Sequence, residues 1–160
     1  MKYFGCIFLF LGFSFFSREY LQGRKRKSEV CIALLSFLQH LEKALSLSVA
    51  SPSRAISDFK SDILSECGFL KKIGENKSIA TALESVFAFF RFSDEDKQKL
   101  ANVFSKLNSS DYRDMCRRVS EAKEEMRLFL KKEEEDTARA LKIVPTLTAA
   151  FAVGFAILVI

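Results

Sequence analysis

Two uncharged apolar segments, one near each end, restrict most strongly how this 160-residue chain can fold. The first runs from Tyr3 to Phe16 as YFGCIFLFLGFSFF, and the second runs from Ile143 to Ile160 as IVPTLTAAFAVGFAILVI. As helices they would be about 21 and 27 Å long, against about 30 Å for the hydrocarbon layer of a bilayer. We therefore predict an N-terminal membrane anchor at residues 1–21 and a C-terminal transmembrane helix at residues 143–160.

Each apolar segment has an alternative interpretation. A cleaved signal peptide also begins with a charge and a short apolar core, but the residues after the first segment, SFFSREY, offer no small-x-small cleavage site. The second segment could be a buried core helix that begins near Pro145, because proline favours the first turn of a helix. A core helix of a small protein normally has a polar face, and this segment has none. Both comparisons favour retained membrane helices.

A basic cluster follows the first apolar segment directly. It consists of Arg18, Arg24, Lys25, Arg26 and Lys27. The chain has 25 Lys and Arg against 20 Asp and Glu, a formal net charge of +5, and this cluster holds most of the excess. A nucleic-acid-binding domain would carry a broad basic surface instead, so we predict no nucleic acid partner. Basic residues beside membrane spans stay on the cytoplasmic side, which predicts a cytoplasmic middle region and contact with anionic lipid.

The middle region, residues 28–142, is predicted to be a cytoplasmic helical bundle. Apolar residues recur in it at three- and four-residue spacing, which is typical of helices with one buried face. The predicted core positions are Val30, Leu34, Phe37, Leu41, Leu45, Ile56, Phe59, Ile63, Cys67, Ile79, Leu83, Val86, Phe87, Phe90, Leu100, Val103, Phe104, Leu107, Tyr112, Met115, Val119, Ala122, Met126 and Phe129. Predicted helix starts lie at Ser51, Ser78 and Ser93, where a serine can cap the helix. Gly68, Gly74 and Asn76 are predicted turn residues.

Residues with catalytic or ligand-binding potential are few. His40 is the only histidine, it lies inside an apolar helix pattern, and no motif pairs it with a nucleophile. The four cysteines form no C-x-x-C pair, and no Gly-rich phosphate loop or H-E-x-x-H motif occurs. We therefore predict a protein that is not an enzyme, with no catalytic residues, no metal site and no cofactor.

A charged segment lies before the second apolar segment and is a candidate partner surface. Its residues are Lys131, Lys132, Glu133, Glu134, Glu135 and Asp136. The alternative interpretation is an ordinary solvated helix face, since charges on such a face add only a few tenths of a kcal/mol each.

The arrangement of the whole chain resembles the stage III sporulation protein AB family. The resemblance is carried by Pro52 and Ala55 in SPSRAISDF, by Ser78 and Ala82 in NKSIATALESVF, and by the turn LNSSD at Leu107 to Asp111. At the second position of that turn this chain has asparagine where the family often has glycine, and both residues enter left-handed backbone conformations readily. The Gln that the family commonly has a few residues later is not found in this chain.

The resemblance implies a non-enzymatic membrane platform. The family is similar to the inner-membrane F protein of type II secretion machines, so the implied fold is an all-α bundle of five or six helices between two transmembrane helices. The implied place is the mother-cell membrane around the forespore, within the channel complex. The implied partners are membrane lipid, a secretion-type ATPase (stage III sporulation protein AA), other channel components and further copies of the chain. The alternative is a membrane-anchored sensor whose basic cluster contacts polyanions.

Overall fold

The structure, a computed structural model, describes residues 2–46, 52–75, 78–107 and 112–159. Seven helices and no strand occur in these residues, which confirms the predicted all-α class. The helices are α1 (Lys2–Ser46), α2 (Pro52–Ser57), α3 (Asp62–Glu66), α4 (Phe69–Gly74), α5 (Ile79–Phe89), α6 (Asp94–Ser105) and α7 (Tyr112–Val159). The first predicted span and the first predicted bundle helix are thus one continuous helix, α1, and the last two predicted helices are likewise one, α7.

Two structural units can be distinguished along the chain. The helical domain is Lys27–Lys131, and the terminal unit combines the chain up to Arg26 with the chain from Lys132 onward. Helices α1 and α7 supply residues to both units. The sequence-based limits of 1–21, 28–142 and 143–160 stay predictions.

Serine caps start two helices of the domain where the sequence predicts them. The Ser78 hydroxyl accepts a hydrogen bond from the Thr81 amide at 3.2 Å, and the Ser93 hydroxyl accepts one from the Asp96 amide at 3.2 Å. Each bond satisfies an amide that has no partner within its helix. The predicted cap at Ser51, the turn residue Asn76 and the loop at residues 108–111 lie outside the described residues.

The segment after α1 has more helices than the sequence predicts. One helix was expected up to Cys67, but α2 ends at Ser57 and α3 begins at Asp62, with Ser61 in extended backbone as the N-cap of α3. Gly68 then adopts a φ of 77°, a left-handed conformation that glycine enters without steric cost, and α4 follows. In the part of the chain that the structure describes, seven helical segments therefore contribute to the bundle, more than the five or six predicted.

One apolar core fills the helical domain. The core positions predicted on α1, α6 and the domain part of α7 are buried wherever their side chains are described, except for the half-buried Phe129. Phe37 is fully buried, and its ring makes edge-to-face contacts with Phe59 and Phe69, with centroids 5.4 Å away in both cases. Between α1 and α5 the predictions are less accurate, because Ala55 and Leu64 are buried whereas Ile56, Phe59 and Ile63 are half-buried.

The terminal unit contains the outer parts of α1 and α7. The Ser17 and Thr148 hydroxyls are 2.9 Å apart, and the rings of Phe13 and Phe151 stack with centroids 5.5 Å apart. These contacts pair the two helices within this unit. Pro145 lies inside α7, where its ring nitrogen cannot donate the usual helical hydrogen bond.

No helix within the described part of the chain combines the length and the apolar composition that crossing a membrane requires. The two predicted transmembrane helices are therefore not supported. Side chains 2–10 in the first predicted span, and side chains 152 and 155–160 in the second, lie outside those that are described.

Candidate functional site

Lys27, the last residue of the basic cluster, is buried in the helical domain. Its ammonium nitrogen is 2.8 Å from a carboxylate oxygen of Asp96, and its side chain is 10% exposed. The rings of Phe92 and Phe129 lie beneath it, with centroids 5.5 and 5.9 Å away, in a cation–π arrangement. The ammonium group of Lys27 is therefore enclosed by the fold, and the lipid contact predicted for this residue stays a prediction.

Asp96 joins this buried contact to the start of α6. Its carboxylate accepts hydrogen bonds from Lys27 and from the Ser93 hydroxyl, while the Ser93 hydroxyl accepts from the Asp96 amide. Burial alone would raise the pKa of Asp96, but these two donors stabilise the charged form and lower its pKa below the ordinary value of 3.8. The same carboxylate thus supports the helix cap and neutralises Lys27.

Acid is expected to destabilise the helical domain through Asp96 and Glu42. The pKa of Glu42 is lowered from 4.5, chiefly by a hydrogen bond from Lys123, so both carboxylates bind protons more readily in the unfolded chain. Their stabilisation is fully present above the ordinary pKa values and is lost as pH falls through the lower folded values. We expect the free energy of unfolding, measured by denaturant titration, to fall progressively below about pH 5.

The variant Asp96→Asn is expected to make the free energy of unfolding less dependent on pH. Asparagine does not bind a proton in this pH range, so only Glu42 of the two carboxylates still contributes. Asp94→Asn is the matched control, since the Asp94 side chain is 97% exposed at the same helix terminus. An equally steep dependence in the Asp96→Asn protein would contradict the role assigned to this carboxylate.

Arg24 contacts other residues of the terminal unit. Its guanidinium donates to the Tyr20 hydroxyl at 3.3 and 3.4 Å and lies 3.8 Å from a carboxylate oxygen of Glu133. Glu133 is only 5% exposed, and its place in the candidate partner surface stays a prediction. Of the other residues predicted there, Asp136 is half-buried, and the exposed ones are Lys131, Lys132, Glu134 and Glu135.

A groove in the terminal unit places two further basic residues together. Arg18 and Lys25 line it from α1, and Leu141 and Pro145 line it from α7. The groove has a volume of about 540 Å³, within the range of small-molecule sites. Arg26, the remaining basic residue of the cluster, is exposed and does not line the groove. The structure thus divides the cluster into a buried lysine, a partly buried arginine, a pair at the groove and one exposed residue.

His40 and the cysteines make structural contacts. The His40 Nε2 atom is 3.0 Å from the Ala55 carbonyl oxygen, and its ring lies against Phe59, so it joins α1 to α2. Cys31 and Cys67 are buried, and burial raises the pKa of the Cys67 thiol. Among the residues that the structure describes, no three His, Cys, Asp or Glu side chains are grouped in a way that could hold a metal ion.

Sequence reasoning missed the partnership of Lys27 with Asp96, which are 69 residues apart. One signal was present in the pattern. Lys27 precedes Val30 and Cys31 by three and four residues, so it continues the buried stripe of α1 by one turn. The rings of Phe92 and Phe129 gave no such signal, because no local spacing relates them to Lys27.

Comparison with known proteins gives one match. No curated protein and no solved structure is matched by this chain. The family model of stage III sporulation protein AB matches residues 2–160, almost the full sequence, and it confirms the family resemblance inferred from the sequence. The chain therefore belongs to the stage III sporulation protein AB family, which implies a role in stage III of sporulation.

Proposed function

We propose that this chain is a non-enzymatic platform that works at the membrane between mother cell and forespore. In this role the apolar part of the terminal unit associates with the bilayer, and the charged segment of α7 offers a surface to a cytoplasmic secretion-type ATPase, stage III sporulation protein AA, and to the channel. The type II secretion F protein is the proposed functional analogue. Two observations support the proposal: the family membership and the distribution of apolar and charged side chains along α1 and α7.

The observation that carries the proposal is the exposure of large apolar side chains in the terminal unit. Phe15 and Phe16 on α1 are 69% and 71% exposed, and Phe151 and Val153 on α7 are 52% and 60% exposed. Exposed apolar groups on this scale are unfavourable in water and typically mark a protein or membrane contact. The helical domain, by contrast, buries an apolar core of its own. A bilayer surface would cover the apolar groups of the terminal unit.

The charged part of α7 supplies the proposed ATPase contact. Lys131, Lys132, Glu134 and Glu135 are exposed, so a partner can reach both signs of charge on one short helix segment. Charges of this kind contribute mainly to the rate and specificity of association.

Capture of a partner from sporulating cells tests the platform role. The tagged full-length chain is expected to co-purify with an ATPase that has a Walker-type nucleotide loop. The variant Glu134→Lys with Glu135→Lys is expected to lower that enrichment at least tenfold, since reversed charges oppose association. Quantitative mass spectrometry of the purified material measures the enrichment.

The matched control is Glu66→Lys with Glu84→Lys, which reverses two exposed carboxylates of the helical domain that lie outside the charged segment of α7. It is expected to retain the ATPase. If no ATPase co-purifies with the unchanged chain, the platform role is refuted. If both double variants lose ATPase enrichment equally, the charged segment of α7 is not the contact.

The alternative function is a sensor that binds polyanions through the basic cluster. Lys27 is enclosed by the helical domain, whereas Lys25 and Arg26 are exposed and can contact a polyanion. Charge reversal at Lys25 and Arg26 therefore tests the sensor without breaking the buried ion pair. Strong, salt-dependent nucleic acid binding that this change abolishes would favour the sensor over the platform.

A further inference from the structure

We propose that the groove in the terminal unit binds the phosphate headgroup of an anionic phospholipid, with Arg18 and Lys25 as its cationic ligands. This site deepens the proposed function, because it rests on the terminal unit meeting a membrane. It differs from diffuse attraction between a basic cluster and a charged surface, since two particular residues and a defined groove are required. It does not require either helix to cross the bilayer.

The spacing of the two basic residues along α1 suits a single phosphate. Arg18 and Lys25 are seven residues apart, which places them on one face of the helix about 10.5 Å apart along its axis. Leu21 and Gln22 lie between them on that face, and both line the groove. Each long side chain can extend toward the middle, so both cations can reach a phosphate above Leu21.

The two cations are available for a ligand. Both side chains are exposed, and neither forms an ion pair or hydrogen bond with another residue in the described ranges. Arg24 and Lys27, in contrast, are next to the carboxylates of Glu133 and Asp96. Two unneutralised cations at one groove are complementary to an anion, and the guanidinium of arginine matches two phosphate oxygens at once.

The opposite wall of the groove determines which phosphate compound fits. Leu141, Pro145 and Ala149 line it from α7. An inorganic phosphate ion would gain nothing from these apolar side chains, whereas a phospholipid places its glycerol and the start of its acyl chains beside its phosphate. Lysine and arginine pockets of this kind between helices suit anionic lipid headgroups. The combination of cations with an apolar wall therefore favours a lipid over a free anion.

Titration of the full-length protein in nonionic detergent with short-chain phosphatidylglycerol tests the site. Phosphatidylglycerol is expected to bind at least tenfold more tightly than phosphatidylcholine of the same chain length. The variant Arg18→Gln with Lys25→Gln is expected to lose this preference by at least tenfold. Calorimetry measures the dissociation constants, and circular dichroism verifies that each variant keeps its helix content.

The matched control is Arg26→Gln with Lys142→Gln, which removes two exposed charges of the terminal unit that do not line the groove. It is expected to bind phosphatidylglycerol within about twofold of the unchanged protein. Equal losses in the two double variants would show diffuse attraction and overturn the site. Equal affinity for inorganic phosphate and phosphatidylglycerol would overturn the lipid as occupant.

A third variant tests the groove without changing any charge. Ala149→Phe places a large ring in the groove and is expected to weaken phosphatidylglycerol binding at least tenfold, whereas unchanged binding would contradict the location. These results are independent of partner capture: an ATPase recovered with a protein that shows no lipid preference would refute the groove alone, and the reverse result would refute the platform alone.

Discussion

Replacing Phe37 by alanine is expected to lower the free energy of unfolding by about 4 kcal/mol. Phe37 is fully buried, and its ring touches Phe59 and Phe69 edge to face, so the substitution leaves a cavity and removes two aromatic contacts. The surrounding helices cannot close such a cavity completely, because each is held by its own core contacts. Urea titration of the full-length chain, followed by circular dichroism, measures the change.

Phe89→Ala is the control for this prediction. Phe89 is 58% exposed, and its ring contact is with Phe90, whose ring centroid lies 5.0 Å away. Its replacement is expected to cost about 1 kcal/mol or less. Similar losses for the two variants would mean that Phe37 is not the centre of the core.

Replacing Lys27 by alanine is expected to lower the free energy of unfolding by about 3 kcal/mol. The loss has two parts: Asp96 remains within the fold without the ammonium group that neutralises it, and the rings of Phe92 and Phe129 lose the cation above them. A buried carboxylate that loses its partner costs far more than a surface ion pair contributes. The same denaturant titration measures this change.

Two further variants distinguish the effect of the Lys27–Asp96 ion pair on stability from the effect of removing one charge of the basic cluster. Arg26→Ala removes the neighbouring exposed charge and is expected to change stability by about 0.5 kcal/mol at most. Lys27→Met with Asp96→Asn removes both charges together and is expected to recover most of the stability, because neither member of the pair is left as a buried charge without the other. A Lys27→Ala protein as stable as the Arg26→Ala protein would refute the buried pair.

Local sequence patterns predicted the all-helical class, the caps at Ser78 and Ser93 and much of the core. The stripe through Val30, Leu34 and Phe37 is regular because one face of α1 meets the core, and Ser78 and Ser93 precede their helices as capping residues do. The break between α2 and α3 was missed. Nothing at Asp58 to Ser61 is a glycine or proline, so no strong local signal marks it.

The environment of the basic cluster could not be predicted from composition and charge. Those quantities treat Arg18, Arg24, Lys25, Arg26 and Lys27 as one group, whereas their surroundings depend on which face of α1 each occupies and on residues far along the chain. Asp96 is 69 positions from Lys27, and its approach results from packing of the whole domain. Tertiary contacts of this kind carry no local periodicity.

Pro145 makes the backbone hydrogen bonding of α7 weaker at one point along the helix. A proline contributes no amide, so the carbonyl of Leu141 lacks its usual donor, and local opening of the helix there breaks one fewer bond. Local opening of α7 is harder near Val119 and Met126, because it would expose side chains that are fully buried. We therefore expect the amides of α7 to exchange hydrogen faster beside the groove that Leu141 and Pro145 line than near Val119 and Met126. A ligand bound in that groove would slow exchange beside it and leave the exchange rates of the core amides unchanged.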